Sequence, residues 1–166
     1  MQNFSDKIAR LNKEKTILVG GGTRLRLLML HCDYFRYKVV ERTRISEEVD
    51  EEEMNGKIDE SVLVAFICAE RSDELNTLKI AKKSVEAIID IAKQVKEKNI
   101  ALHSFAHLSD DLSSPYVAKR IIDDIKLQLH SRNYNVLKTP FGWRDRFELC
   151  VKSHPVSKVS RKITIK

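Results

Sequence analysis

The sequence is poor in the residues that build irregular or repetitive proteins. Of its 166 residues only five are glycine and three are proline, which excludes collagen-like and low-complexity architectures. No apolar run approaches the roughly 18–20 residues that a membrane-spanning helix needs. Residues 1–15 are charged throughout and lack the apolar core of a signal peptide. We therefore expect a cytoplasmic protein with no membrane partner.

Cysteine is also scarce, and the common cofactor motifs are missing. Cys32, Cys68 and Cys150 are an odd number without the spacing of a metal site, and their apolar or mixed surroundings predict buried free thiols. The sequence contains no Gly-rich phosphate loop, zinc spacing or HExxH motif. The three glycines at residues 20–22 precede a predicted strand rather than a helix, unlike a phosphate cradle. We expect no metal and no cofactor.

Charged residues are abundant, at 33% of the chain, and hydrophobic residues make up 42%, which is typical of a globular domain. The net charge of +6 is concentrated at the two ends: residues 1–26 carry six Lys/Arg against two Asp/Glu, and residues 152–166 carry five Lys/Arg and no acid. Basic ends favour an anionic partner such as RNA. Ordinary solubilising charge explains the same pattern, so both interpretations remain open.

Hydrophobic periodicity predicts an α/β fold with two main helices. One helix is predicted over residues 77–98, and the other begins with Ser114 as its cap and Pro115 as its first residue. Apolar or alternating segments predict the strands, at residues 25–31, 35–40, 61–69, 100–105, 134–137 and 147–151, with a turn at Asp33-Tyr34. This order predicts a two-layer domain in which both helices pack on a largely antiparallel sheet.

The domain is predicted to cover residues 25–166. Residues 1–24 form an N-terminal extension, in which a short helix over residues 4–14 and a strand over residues 16–19 are expected. The acidic run at residues 47–53 predicts a solvated loop rather than a metal site, because no histidine or fixed carboxylate spacing accompanies it.

Several motifs, in a fixed order, resemble the archaeal editing domain at the N-terminus of threonyl-tRNA synthetase, which is related in fold to D-aminoacyl-tRNA deacylase. They are LMLHCDY at 28–34, VAFI at 64–67, FAHLS at 105–109, NVLK at 135–138, PFGW at 140–143 and HP at 154–155. The resemblance implies a D-aminoacyl-tRNA deacylase-like fold and hydrolysis of mischarged L-seryl-tRNA(Thr). Serine is smaller than threonine by one methyl group, which a synthetic site can reject by only about 1–3 kcal/mol, so a second pocket is needed.

The same resemblance implies a site. The seryl group would lie among backbone atoms near Ala69, Ala106 and Phe141, followed by Gly142, with His107 beside it to orient substrate or water. A lone histidine among apolar residues is usually structural, and the FAHLS motif is what favours a role for His107 in the site. The family relies on a water held by backbone groups and on the terminal ribose hydroxyl of the tRNA.

Three positions depart from the family where side chains matter. A family tyrosine is replaced by Arg144, a lysine by Asp145 and a glutamate by Lys158. Two interpretations remain open. In the first, Asp145 and Lys158 exchange the family's charges and keep an ion pair with inverted polarity, so that both remain catalytic candidates. In the second, the site drifted after editing was lost.

Two tRNA-related functions therefore compete, beside a third hypothesis of a domain whose role is dimerisation. One is an aminoacyl-tRNA deacylase acting on the acceptor end of tRNA(Thr), either free-standing or as part of a threonyl-tRNA synthetase. The alternative is a catalytically impaired homologue that acts as a tRNA- or synthetase-binding module. Related folds often pair through sheet edges, so a homodimer is expected. The choice between L-serine and a D-amino acid stays open, because both chemistries occur on this fold.

Overall fold

Nine regular elements make up the part of the chain described by the computed structural model, residues 24–165. They are β1 (Leu25–Glu41), β2 (Asn55–Ile58), β3 (Val62–Cys68), α1 (Thr77–Gln94), β4 (Asn99–Ser104), α2 (Pro115–Ser131), β5 (Asn135–Lys138), β6 (Arg144–Val151) and β7 (Lys158–Ile163). Short 3-10 helices lie at Glu51–Met54, Arg71–Leu75 and Ala106–Leu108. The predicted α/β class with two main helices is confirmed. The helix and strand predicted within residues 4–19 lie outside the described residues.

Both predicted helices form, because each has a continuous apolar stripe. The buried residues of α1 recur every three or four positions, from Ile80 to Ala92, and α2 buries Ile121, Ile122, Ile125 and Leu129. The Ser114 hydroxyl accepts a hydrogen bond from the Val117 N–H at 3.4 Å, as a cap should. The first helix was predicted to reach residue 98 but ends at Gln94, and Lys96 adopts a left-handed φ of 57°.

Within residues 24–165, no helix is long and apolar enough to cross a membrane.

β1 is one strand of 17 residues, so the prediction of two strands joined by a turn at Asp33-Tyr34 is wrong. The pairing of β1 with β6 changes register between Cys32 and Phe35. A β-bulge of this kind takes up the extra residues and bends the strand without ending it. The first half of β1 pairs with β3 and β7, and the second half pairs with β2 and β6.

The sheet is mixed and largely antiparallel. All four partners of β1 are antiparallel to it, whereas β3, β4 and β5 run parallel to one another. The helices connect these three strands, as parallel connections require. In consequence the carboxyl ends of β3, β4 and β5 lie side by side at one edge of the sheet. β2 and β7 are strands that the sequence did not predict.

Apolar residues fill both faces of the sheet. One cluster lies between the helices and the sheet and includes Leu27, Leu63, Ile88 and Ile125. A second cluster on the opposite face brings Phe35 of β1 together with Phe66 of β3 and Ala101 of β4, since the bent second half of β1 and its partners fold over that face. The curled sheet, and not only the helices, therefore covers the central strands.

Two smaller expectations also fail. Cys32 and Cys68 are buried free thiols as predicted, but Cys150 is exposed. Burial raises the pKa of Cys32 to about 12, which keeps it protonated. The acidic run is not uniformly solvated, because Glu47 is largely buried and bound by two lysines and a backbone amide.

Candidate functional site

An open cavity of about 790 Å³ lies at the edge of the sheet where the parallel strands end. The chain leaves β3, β4 and β5 at this edge, and each exit segment forms part of the wall. The start of β6, the loop at residues 43–45 and the beginning of α2 complete it. Ligands bind at such strand ends because the connecting segments diverge there and leave a crevice.

Backbone hydrogen bonds fix these segments to one another. The Phe105 N–H donates to the carbonyl of Ile67 at 2.9 Å, which holds the segment after β4 against the end of β3. The Ser113 N–H donates to the carbonyl of Ala69 at 3.1 Å and secures the entry to α2. These two hydrogen bonds hold the segments that follow β3 and β4 in fixed positions, as a preorganised site requires.

Glu47 fastens the PFGW segment to the body of the domain. Its carboxylate accepts a hydrogen bond from the Phe141 N–H at 2.6 Å and pairs with Lys138 at 2.9 Å, and its carbonyl accepts from the Trp143 indole N–H at 2.8 Å. Burial disfavours ionisation of this carboxyl, but the hydrogen bond from Phe141 and the charge of Lys138 outweigh it, so its pKa lies below the usual value. Sequence analysis missed this role because Glu47 belongs to an acidic run.

Gly142 occupies a position that other residues would not fit. Its φ of +79° is in the left-handed region, and an added Cβ would come within 2.8 Å of the backbone carbon of Ile45. The Gly142 carbonyl accepts hydrogen bonds from the Thr43 hydroxyl at 2.6 Å and the Ser46 hydroxyl at 3.1 Å. The tight approach of residues 43–46 thus fixes this side of the cavity.

Asp145 and His103 lie together at the inner wall. The Asp145 Oδ2 is 3.7 Å from His103 Nδ1, and the side chains are 12% and 7% exposed. Burial lowers the pKa of His103 to about 4, so the ring is neutral at pH 7, and the two groups do not form an ion pair there. His103 Nδ1 instead lies 2.9 Å from the Thr139 hydroxyl. Burial also raises the pKa of Asp145.

Seven of the eight residues predicted for the site line this cavity. They are Ala69, Ala106, His107, Phe141, Gly142, Arg144 and Asp145. His107 is exposed, and its ring meets the edge of Phe105 with the centroids 5.1 Å apart. Arg144 is exposed at the mouth and pairs with Glu41 at 3.0 Å.

Lys158 does not line the cavity, and the ion pair between Asp145 and Lys158, one of the two interpretations left open by the sequence, does not form. Lys158 pairs with Leu30 in the first half of β1, whereas Asp145 pairs with Val39 in the second half. These two partner positions are nine residues apart in the sequence, a path of roughly 30 Å along the bent strand at about 3.3 Å per residue. Lys158 is exposed on β7 and is not carried into the site.

Sequence reasoning missed His103, Thr139 and the segment at residues 43–45. His103 was assigned to a strand with no further role, yet its ring contacts those of Phe66 and Phe147, with centroids 5.5 and 5.0 Å away. A polar residue inside an apolar strand was the available signal. For residues 43–45 no signal existed, because their position depends on the bend in β1.

The sequence profile of the Archaea-specific editing domain of threonyl-tRNA synthetase matches residues 25–163. The chain belongs to this family. Among curated relatives of the editing domain, a threonine–tRNA ligase of Methanosphaera stadtmanae is 44% identical over 140 residues, which is 84% of this chain and 23% of the ligase. The threonine–tRNA ligase of Methanocaldococcus jannaschii is 44% identical over 142 residues, or 86% and 22% of the two chains. The chain thus spans less than a quarter of these relatives.

A solved structure described as a probable eukaryotic D-amino acid tRNA deacylase shares the fold of this editing domain. The TM-score is 0.54 and the sequence identity 13%, and the match covers 86% of this chain and 100% of the other. At that identity the likeness concerns the fold alone. Membership of the family implies aminoacyl-tRNA editing and tRNA binding.

Proposed function

We propose that this editing domain hydrolyses the ester of L-seryl-tRNA(Thr), in which water adds to the ester carbonyl and free serine and tRNA leave. The observation that carries the proposal is the convergence of seven of the predicted site residues on one cavity, whose wall has small side chains at Ala69 and Ala106. A cavity of about 790 Å³ is much larger than a seryl group. The cavity also has room for the terminal nucleoside of the tRNA. Such room is required if the substrate is held by its nucleotide end.

Discrimination against threonine would depend on the space around Ala106. The two substrates differ by one methyl group, so a wall set close to the serine hydroxyl excludes the larger side chain by steric contact. The backbone hydrogen bonds described above keep that wall from yielding.

Backbone groups and substrate would supply most of the chemistry. The amides of Ala106 and His107 open a short helical turn and have no acceptor within it, so they can hold a water or the ester carbonyl. The terminal ribose hydroxyl lies beside the ester in the substrate itself. The exposed His107 would orient the attacking water by a hydrogen bond. The buried, neutral His103 shapes the wall.

The partner of this site would be the acceptor end of tRNA(Thr), presented in the cytoplasm either by a threonyl-tRNA synthetase or directly to the domain. Arg44 and Arg144 are exposed at the mouth, where phosphates of the acceptor end would pass. A homodimer is a further expectation, which sedimentation would test.

The decisive experiment is a deacylation panel with L-seryl-, L-threonyl- and D-seryl-tRNA(Thr). We expect loss of the L-seryl ester well above its spontaneous rate and little loss of the L-threonyl ester. Faster loss of the D-seryl ester would overturn the proposed substrate. Binding of seryl-tRNA without any hydrolysis would favour the binding module, an outcome to which the replacements at positions 144 and 145 point. Gly142→Ala is the inactive control, because it displaces the cavity wall.

A further inference from the structure

Asp145 is the one carboxylate among the described residues that line the cavity. It lies at the start of β6 with only 12% of its side chain exposed. Within residues 24–165, no lysine or arginine nitrogen approaches its oxygens within 4.0 Å. A carboxylate withdrawn from water normally has a cationic partner, because desolvation penalises its charge. Asp145 therefore has an unfilled capacity to bind a cation from the cavity.

No charged neighbour among the described residues balances the carboxylate of Asp145. His103, whose Nδ1 lies 3.7 Å from the Asp145 carboxylate, is buried and uncharged at pH 7, and that Nδ1 is engaged with the Thr139 hydroxyl at 2.9 Å. The aromatic ring of Phe147 packs against His103 with the centroids 5.0 Å apart. An apolar, neutral wall strengthens the attraction between Asp145 and any cation that reaches it, since the local dielectric is low.

The charges of the cavity are thus ordered by depth. Arg44 and Arg144 stand exposed at the mouth, and the carboxylate of Asp145 lies inside. An aminoacylated RNA end has the complementary order: phosphates precede the terminal nucleoside, and the α-ammonium group of the amino acid comes last. An α-amino group has a pKa of roughly 7–8, and a nearby carboxylate favours its protonated form at pH 7.

We propose that Asp145 binds the α-ammonium group of the aminoacyl ester and thereby sets the orientation of the ester in the cavity. The inference rests on the deacylase function proposed above. It makes Asp145 a substrate-binding residue that requires a free amino group, so that esters of N-blocked or deaminated acids would be poor ligands. Asp145 would thus select the substrate by its charge and not by its size, and this selection is independent of the steric selection at Ala106.

Two stable analogues test the inference without hydrolysis. In one, L-serine is joined by an amide to 3′-amino-3′-deoxyadenosine; in the other, a hydroxyl replaces the α-amino group, which removes the charge at nearly constant size. We expect calorimetry at pH 7 to give at least about tenfold tighter binding of the amine than of the hydroxyl analogue, the equivalent of about 1.4 kcal/mol. Asp145→Asn should bring the ratio close to one. Glu148→Gln, an exposed carboxylate on the same strand, should leave it unchanged.

The wild-type ratio alone can overturn the inference, so it does not depend on the folding of a variant. Equal affinity for the two analogues, binding of neither, or an Asp145→Asn variant that keeps the tenfold ratio would each contradict it. Hydrolysis of seryl-tRNA by the wild-type domain is measured alongside. Hydrolysis with a ratio of one overturns the ammonium site alone, whereas a tenfold ratio without hydrolysis supports the ammonium site and overturns the deacylase function.

Discussion

At the scale of single residues, Glu47 holds the PFGW segment that forms part of the cavity wall. Replacing it with glutamine keeps the size of the side chain but removes the charge that Lys138 and the Phe141 amide require. Lys138 keeps its pairing with Asp123 at 2.7 Å, so the loss is smaller than for an isolated buried pair. We expect Glu47→Gln to lower the free energy of unfolding by about 1–3 kcal/mol.

Urea denaturation followed by fluorescence of Trp143, the single tryptophan, measures this change at the segment concerned. Glu48→Gln is the matched control, because Glu48 is 82% exposed and its pairing with Arg42 lies in solvent. The control should stay within about 0.5 kcal/mol of wild type. A Glu47→Gln variant as stable as this control would mean that the PFGW segment does not depend on the carboxylate.

Ala106 gives a second prediction at this scale. Ala106→Val adds two methyl groups inside the cavity and should reduce hydrolysis of seryl-tRNA by at least tenfold with little change in stability, since Ala106 is exposed. Ala106→Gly removes a methyl group and should raise the rate with threonyl-tRNA relative to seryl-tRNA. The two kcat/KM values measure both effects. Unchanged selectivity in a folded Ala106→Gly variant would contradict the proposed position of the amino acid.

At the scale of elements, the pairing of β1 with β2 requires a glycine. A Cβ at Gly56 would come within 2.8 Å of Tyr37 Cζ, and Tyr37 is buried with its hydroxyl donating to the Glu53 carbonyl at 2.8 Å. Gly56→Ala should therefore destabilise the domain by about 1–3 kcal/mol in urea denaturation. Asn55→Ala, at the exposed neighbouring position, is the control. Equal stability of the two variants would show that Tyr37 moves freely.

The elements also show how far sequence reasoning extends. The helices were predictable because their apolar stripes and the Ser114-Pro115 start are local signals. β7 was not, since its exposed residues are lysine, serine and arginine and only Val159 and Ile163 face the core. The parallel order of β3, β4 and β5 depends on long-range pairing, which no local pattern encodes.

The same distinction holds for the site. The predicted site residues were implied by the resemblance to the editing-domain family, whose FAHLS and PFGW motifs follow apolar segments, where connecting chain is expected to be accessible. The pairing of Asp145 with Lys158 failed because opposite charges in a sequence carry no information on distance. Glu47 was missed because its burial, which gives it its role, is a property of the folded chain, whereas the place of His103 inside an apolar strand was a signal that went unused.

At the scale of the whole molecule, the basic C-terminal region forms an exposed strand. Lys158 and Lys162 lie on the same face of β7, four residues apart. Neither forms an ion pair with an acidic residue among residues 24–165. If this face contacts tRNA phosphates, Lys158→Gln with Lys162→Gln should weaken binding and reduce the slope of log K against log salt by nearly 2.

Lys79→Gln with Lys82→Gln removes the same charge from the exposed side of α1 and is the matched control. Its salt slope should stay close to that of wild type. Equal slopes for the two double variants would mean that β7 contributes only net charge and no particular contact.

The place of β1 between its partners has a consequence for synthesis on the ribosome. One edge of the first half of β1 can pair once β3 has been synthesised. The other edge stays unpaired until β7 has been synthesised, because β7 pairs there, with Ile163 opposite Leu25. At 5–20 residues per second, translation leaves that edge open for roughly 5–20 s. During this interval the nascent chain presents an apolar strand with free backbone groups, the kind of surface on which chains from neighbouring ribosomes aggregate.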